Sequence, residues 1–151
     1  MTKEVVIIAG ANGSGKTTFA RSFEEKYPFA FVNADEIAKE INPGDIENPG
    51  VKVQAVFLEN PGVCIERIRE RVLKGGHFVP DADVVRRFYR SKRNFWNLYK
   101  ELADEWYLIY NSKQQFIELA LGQKGTYTIN NKKLFNEFII DIKEEKNNGS
   151  R

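Results

Sequence analysis

One cysteine and one histidine, Cys64 and His77, occur in 151 residues. A lone thiol excludes an internal disulfide framework, and a lone imidazole with no second histidine or cysteine nearby makes His77 a poor metal ligand. No apolar run approaches the roughly 20 residues of a membrane span. The first residues, Met1-Thr2-Lys3-Glu4, run straight into a short apolar segment. They lack the h-region and small-residue cleavage site of a signal peptide, so a reducing cytoplasm is the expected address. Net charge is also scarce: 23 Lys and Arg against 21 Asp and Glu leave +2, which argues against a protein built to coat nucleic acid. Repeats and low-complexity stretches are missing. What is present is an ordinary globular composition, 42% hydrophobic and 13% aromatic, enough to bury the core of one domain.

Val5-Val6-Ile7-Ile8-Ala9 is a continuous, largely β-branched apolar run, the pattern of a central strand covered on both faces. After the glycines, Lys16 opens a helix whose Phe19, Ala20 and Phe23 share one face. Phe29 to Val32 reads as a second strand, Ile37 to Ile41 as a short helical run, and Val51 to Leu58 as a further strand. Cys64, Ile68 and Val72 recur at four-residue steps on an amphipathic helix closed by Gly75-Gly76. A second helix is expected from Asp83 or Val84 to about Ala103, with Val85, Phe88, Phe95 or Trp96, Tyr99 and Leu102 inward. Trp106 to Tyr110 reads as a strand, Gln114 to Leu121 as a helix, Tyr127 to Ile129 as a short extended piece, and Leu134 to Ile142 as an amphipathic helix. The expected organisation is one α/β domain over residues 1–142, with a helical lid at about 62–103 and a frayed polar tail at 143–151.

Gly10-Ala11-Asn12-Gly13-Ser14-Gly15-Lys16-Thr17 satisfies the P-loop pattern G-x-x-x-x-G-K-[S/T], placed between a buried strand and a helix. Glycines let the backbone wrap with its N–H groups inward, and the helix N-terminus adds positive potential, so phosphate oxygens are cradled by Gly10 to Thr18. Lys16 adds a full charge for the β- and γ-phosphates, and the Thr17 hydroxyl is placed to ligate Mg²⁺. Phosphoryl transfer also needs a group that orients the acceptor. Asp35, at the end of the second strand, is the candidate; the competing role is capping the helix that follows. Transition-state charge calls for cations, and the helices flanking Gly75-Gly76 offer Arg71 and Arg87; the competing role is a solvated face paired to Glu66, Glu70 and Asp83. His77 divides between a loop role and phosphate contact. Cys64 reads as a core residue. Glu59 ends an apolar strand as a Walker B carboxylate does, but Asn60-Pro61-Gly62 follows it.

The P-loop, the Asn33-Ala34-Asp35-Glu36-Ile37 segment and the string Arg71…Gly75-Gly76-His77-Phe78-Val79-Pro80…Arg86-Arg87…Arg90-Ser91…Asn94 together resemble the zeta toxin family. Leu102-Ala103-Asp104-Glu105-Trp106…Tyr110-Asn111-Ser112 extends the match, so the resemblance covers most of Val5 to Ser112. It implies a P-loop NTPase-like three-layer fold with a mostly parallel sheet. It further implies a kinase that uses ATP and Mg²⁺ to phosphorylate the sugar of UDP-N-acetylglucosamine, often under control of an antitoxin protein. For these residues it implies nucleotide binding by Gly10 to Thr18, acceptor orientation by Asp35 and phosphate contact near Arg71. The chain departs from the family between Pro43 and Val51, where a helix and a strand are usual and only Gly44 to Gly50 stands. A shortened sheet is therefore expected. Two rival readings follow: an ATP-binding relative that no longer transfers phosphate and acts through protein contacts, and nucleic-acid contact through Arg86 to Arg93. The second is disfavoured by the low net charge.

Overall fold

The computed structural model describes residues 4–27, 50–113 and 115–148. Strand β1 (Glu4–Ala9) leads through the glycine loop into helix α1 (Lys16–Lys26). Strand β2 (Gly50–Phe57) lies parallel to β1, with Val5 opposite Val51 and Ala9 opposite Ala55. Helix α2 (Pro61–Leu73) starts at Asn60, whose Oδ1 accepts the Val63 N–H at 3.1 Å. Pro61 then occupies the first turn, where its missing N–H has no helical partner to lose. Helix α3 (Asp81–Asn94) runs on through a π-helical turn, Phe95–Tyr99, to Leu102. Strand β3 (Glu105–Ser112) pairs parallel with β2, and β4 (Gln115–Gln123) and β5 (Thr126–Ile129) follow as an antiparallel meander. Helix α4 (Lys132–Asn148) closes the chain, capped by the Asn131 side chain on the Leu134 N–H at 3.1 Å.

The five described strands stand in the order β1-β2-β3-β4-β5, parallel in the first half and antiparallel in the second. Alternation along β2 and β3 sends side chains to two apolar layers. On one face Val56 and Ile109 meet Phe19 of α1. On the other, Ala55, Phe57, Leu108 and Tyr110 meet Phe95, Phe135 and Phe138 from the end of α3 and from α4. Edge-to-face ring contacts dominate there, with Phe95 to Trp106 at 5.7 Å and Trp96 to Trp106 at 5.9 Å. A third cluster, Leu58, Cys64, Ile68, Val84 and Phe88 around Ala11, fastens α2 and α3 to the glycine loop. The α/β three-layer architecture of a P-loop NTPase-like fold is thus present, and the sheet is mixed.

Among the described strands β1 is outermost, with Ile7 47% exposed. The expected strand Phe29 to Val32, the helical run from Ile37 and the shortened stretch up to residue 49 lie outside the described residues. Three expectations change. The segment from Gln115 to Leu121 is strand, not helix. Its Glu, Leu and Ala are good helix formers, but pairing with the free edge of β3 and packing of Gly122 against the Trp106 ring outweigh that weak local preference. The inner face of α3 is Val84, Phe88, Lys92 and Phe95, while Tyr99 and Leu102 are exposed, because the π-turn rotates the helix past Phe95. Finally, α4 continues through Lys143 to Asn148, where Lys and Glu extend the helix beyond the expected start of the tail.

Candidate nucleotide site

The loop after β1 is shaped by close backbone approach. A Cβ on Gly10 would lie 1.9 Å from the Val56 carbonyl oxygen, so only glycine lets the chain leave β1 alongside β2. Gly13 and Gly15 take left-handed conformations, φ 79 and 90, and reverse the chain into α1. The Ser14 N–H donates to the Ala11 carbonyl at 3.1 Å, closing the loop. The first turn of α1 has no side-chain cap and no acidic residue, so its N–H groups and positive dipole end are uncompensated. Ser14 Oγ is fully buried without a hydrogen-bond partner. A glycine cradle, an uncapped helix start and an orphaned hydroxyl together fit a phosphate group.

Lys16 folds across this loop, its Nζ donating to the Gly10 and Ala11 carbonyls at 2.9 Å each. Burial lowers its ammonium below the ordinary lysine value; the Cys64 sulfur opposes that shift and the Arg71 guanidinium adds to it. An anion arriving here would offset both the desolvation and the repulsion with its opposite charge. Thr17 and Thr18 are exposed on the first turn of α1, which leaves the Thr17 hydroxyl available to a metal ion.

Opposite the loop lies a cavity of about 370 Å³. Its far wall is one face of α3, with Arg87, Arg90, Ser91 and Asn94 at i, i+3, i+4 and i+7. Phe57, Phe95 and Tyr99 floor it. Among the described residues Arg87 and Arg90 have no ion-pair partner, whereas Arg69 pairs with Asp81 at 2.6 Å and Arg86 with Asp83 at 2.8 Å. The arrangement therefore sets three cations, Lys16, Arg87 and Arg90, around one space and no described carboxylate.

Two further side chains fix the loop. Asn111, buried at the end of β3, donates from Nδ2 to the Ser14 carbonyl at 3.1 Å. Arg67 on α2 reaches the Gly13 carbonyl in a long bond of 3.5 Å. Neither was a sequence candidate, nor was Arg90; the i, i+3, i+4, i+7 spacing of Arg87, Arg90, Ser91 and Asn94 was the available signal.

The expected residues divide as follows. Gly10, Ala11, Asn12 and Lys16 line the cavity together with Arg87. Arg71 is exposed on α2, near enough to shift Lys16, with its stem packed where a Cβ on Gly76 would come within 2.6 Å. His77 is exposed in the loop between α2 and α3 and does not line the cavity. Glu59 accepts a hydrogen bond from the Ser112 hydroxyl and belongs, among the described residues, to no cluster of three or more His, Cys, Asp or Glu side chains. Cys64 is fully buried in the core, where burial pushes its thiol up to about 11. Asp35 lies outside the described residues. Among the described residues no helix is long and apolar enough to cross a membrane.

No curated protein and no solved structure matches the chain. A sequence model of the AAA domain family matches residues 5–101, which takes in the glycine loop, Lys16 and the whole arginine face of α3. With more than half of its length in that match, and with the loop geometry just described, the chain belongs to the AAA domain family, as a P-loop nucleotide-binding domain of kinase-like type.

Proposed function

We propose that the chain is an ATP-dependent phosphotransferase that passes the γ-phosphoryl group to a hydroxyl of a small acceptor, a UDP-N-acetylamino sugar. The observation that carries this reading is the placement of Lys16 and the phosphate cradle across one cavity from Arg87 and Arg90. Transfer through a loose transition state needs positioning and charge neutralisation rather than covalent help. Lys16 and the N–H groups of Gly13 to Thr17 would hold the β- and γ-phosphates, and Arg87 and Arg90 would face the oxygens that gain charge. Thr17 would hold Mg²⁺, which typically takes one or two protein oxygens and the rest from phosphate and water, and which neutralises phosphate charge when bound. Asp35 is proposed to orient the acceptor hydroxyl, and Arg71 to add positive potential from α2. The zeta toxin-like order of motifs supports the sugar-nucleotide acceptor, and with it an antitoxin partner.

ADP formation from Mg²⁺-ATP, with and without UDP-N-acetylglucosamine, tests the reading. Acceptor-stimulated turnover that is lost in Asp35→Ala supports it. A second reading, a nucleotide-binding relative that does not transfer phosphate, is favoured by one observation: no described residue lining the cavity is a carboxylate. ATP binding with no turnover on any acceptor would select it.

A further inference from the structure

We propose that Lys92 is a positioning residue for the arginine face of α3, and that α4, through Asp141, is part of the same device. The inference rests on the nucleotide reading above. Lys92 is fully buried, yet it lies in the middle of the helix that lines the cavity. Its Nζ donates to the Asp141 carboxylate at 2.7 Å and to the Tyr110 hydroxyl at 3.0 Å. It also stands 4.3 Å from the Phe88 ring centre and 5.4 Å from that of Phe138. An ammonium buried without partners would cost several kcal/mol, so α3 is held in the one rotation and depth that satisfies Lys92. Ser91 precedes it directly and Asn94 follows two residues on, while Arg90 and Arg87 lie two and five residues before it on the same helix. Whatever fixes Lys92 therefore fixes where those groups face the glycine loop.

The other end of the device is on β3. Tyr110 and Asn111 are consecutive and point to opposite faces of the strand. Tyr110 receives Lys92 from α3, and Asn111 holds the Ser14 carbonyl of the loop. One dipeptide thus ties both walls of the cavity to the same strand. Asp141 lies beyond the family match, which ends at residue 101, so the C-terminal meander and helix act here as a brace for the site rather than as an appendage.

The test separates bracing from stability. Replacing a buried ion pair by apolar residues of similar size is often neutral for folding, so the Lys92→Met/Asp141→Leu double variant should remain folded. Its affinity for Mg²⁺-ATP, measured by calorimetry on the full chain, should fall about tenfold. In an Arg87→Ala/Arg90→Ala background the same pair of substitutions should cost less than about twofold, because the groups being positioned are gone. Undiminished affinity, or an equal loss in both backgrounds, overturns the inference. Should the double variant fail to fold, Tyr110→Phe carries the test: a loss of about threefold is expected where Arg87 and Arg90 are retained and not in the Arg87→Ala/Arg90→Ala background, and unaltered binding overturns the proposal. Wild-type protein that binds no Mg²⁺-ATP overturns the nucleotide reading itself, and this inference with it.

Discussion

Gly15→Ala is the substitution for which the structure gives the most definite magnitude. Gly15 has φ 90, and a Cβ there would lie 2.2 Å from Asn111 Nδ2. An L-residue in a left-handed conformation costs about 1–2 kcal/mol. Displacing Asn111 loses its bond to the Ser14 carbonyl, worth about 0.5–1.5 kcal/mol. The expected destabilisation is about 1.5–3.5 kcal/mol, or roughly 3–14 °C in Tm for a chain of this size. The two contributions separate in a double-mutant cycle. In an Asn111→Ala background the Asn111 amide nitrogen is no longer there to clash, so Gly15→Ala should cost about 1 kcal/mol less than it does in the wild type. Thermal and urea unfolding of the four proteins measure this. Equal losses in both backgrounds would refute the claim that Asn111 sets the space at Gly15.

Other outcomes follow from the same geometry. On the proposed phosphotransferase reading, in which Arg90 faces transition-state charge, Arg90→Ala should lower phosphoryl transfer at least tenfold, with little change in Tm because Arg90 has no ion-pair partner among the described residues; steady-state kinetics beside a melting curve decide it. Native Cys64 should resist a thiol reagent at pH 8 and react fully in denaturant, since it is buried and its thiol is pushed up to about 11; rapid native labelling would contradict its burial. The Val51 N–H and then Lys124 hold the Asp104 carboxyl below its ordinary 3.8. Its stabilising contribution is therefore present above that value and lost as pH falls through the lower folded-state value. The Tm difference between wild type and Asp104→Ala should shrink along that descent, and a difference that grows would reverse the assigned sign.

What could be read from the sequence follows physical rules about local information. β1, the glycine loop and α1 were legible because a continuous apolar run, a fixed glycine spacing and a helical stripe occupy adjacent residues. The Cys64-Ile68-Val72 stripe of α2 was legible for the same reason. β4 was not, because its residues favour helix in isolation and only the edge of β3, remote until folded, selects strand. Lys92 was hidden within Arg86 to Arg93, where a basic run reads as a solvated face. Its spacing from Val84 and Phe88, four residues each, nevertheless puts it on the buried stripe. Asn111 and Arg67 were missed because a side chain that holds a loop carbonyl leaves no periodic mark. Arg87 was found from its charge and its place beyond the diglycine, while Arg90 needed the helix face to be seen.

Titration of Mg²⁺-ATP into wild type and Lys16→Ala shows whether Lys16 and its loop bind nucleotide phosphates. Removing one partner of a desolvated charge pair costs about 2–5 kcal/mol, so affinity should fall at least about 30-fold. The melting temperature in the absence of ligand should change little, because the lost hydrogen bonds to Gly10 and Ala11 are offset by relief of burial and of repulsion from Arg71. Equal affinity of the two proteins, or no binding by the wild type, would mean that Lys16 and its loop do not hold nucleotide phosphates.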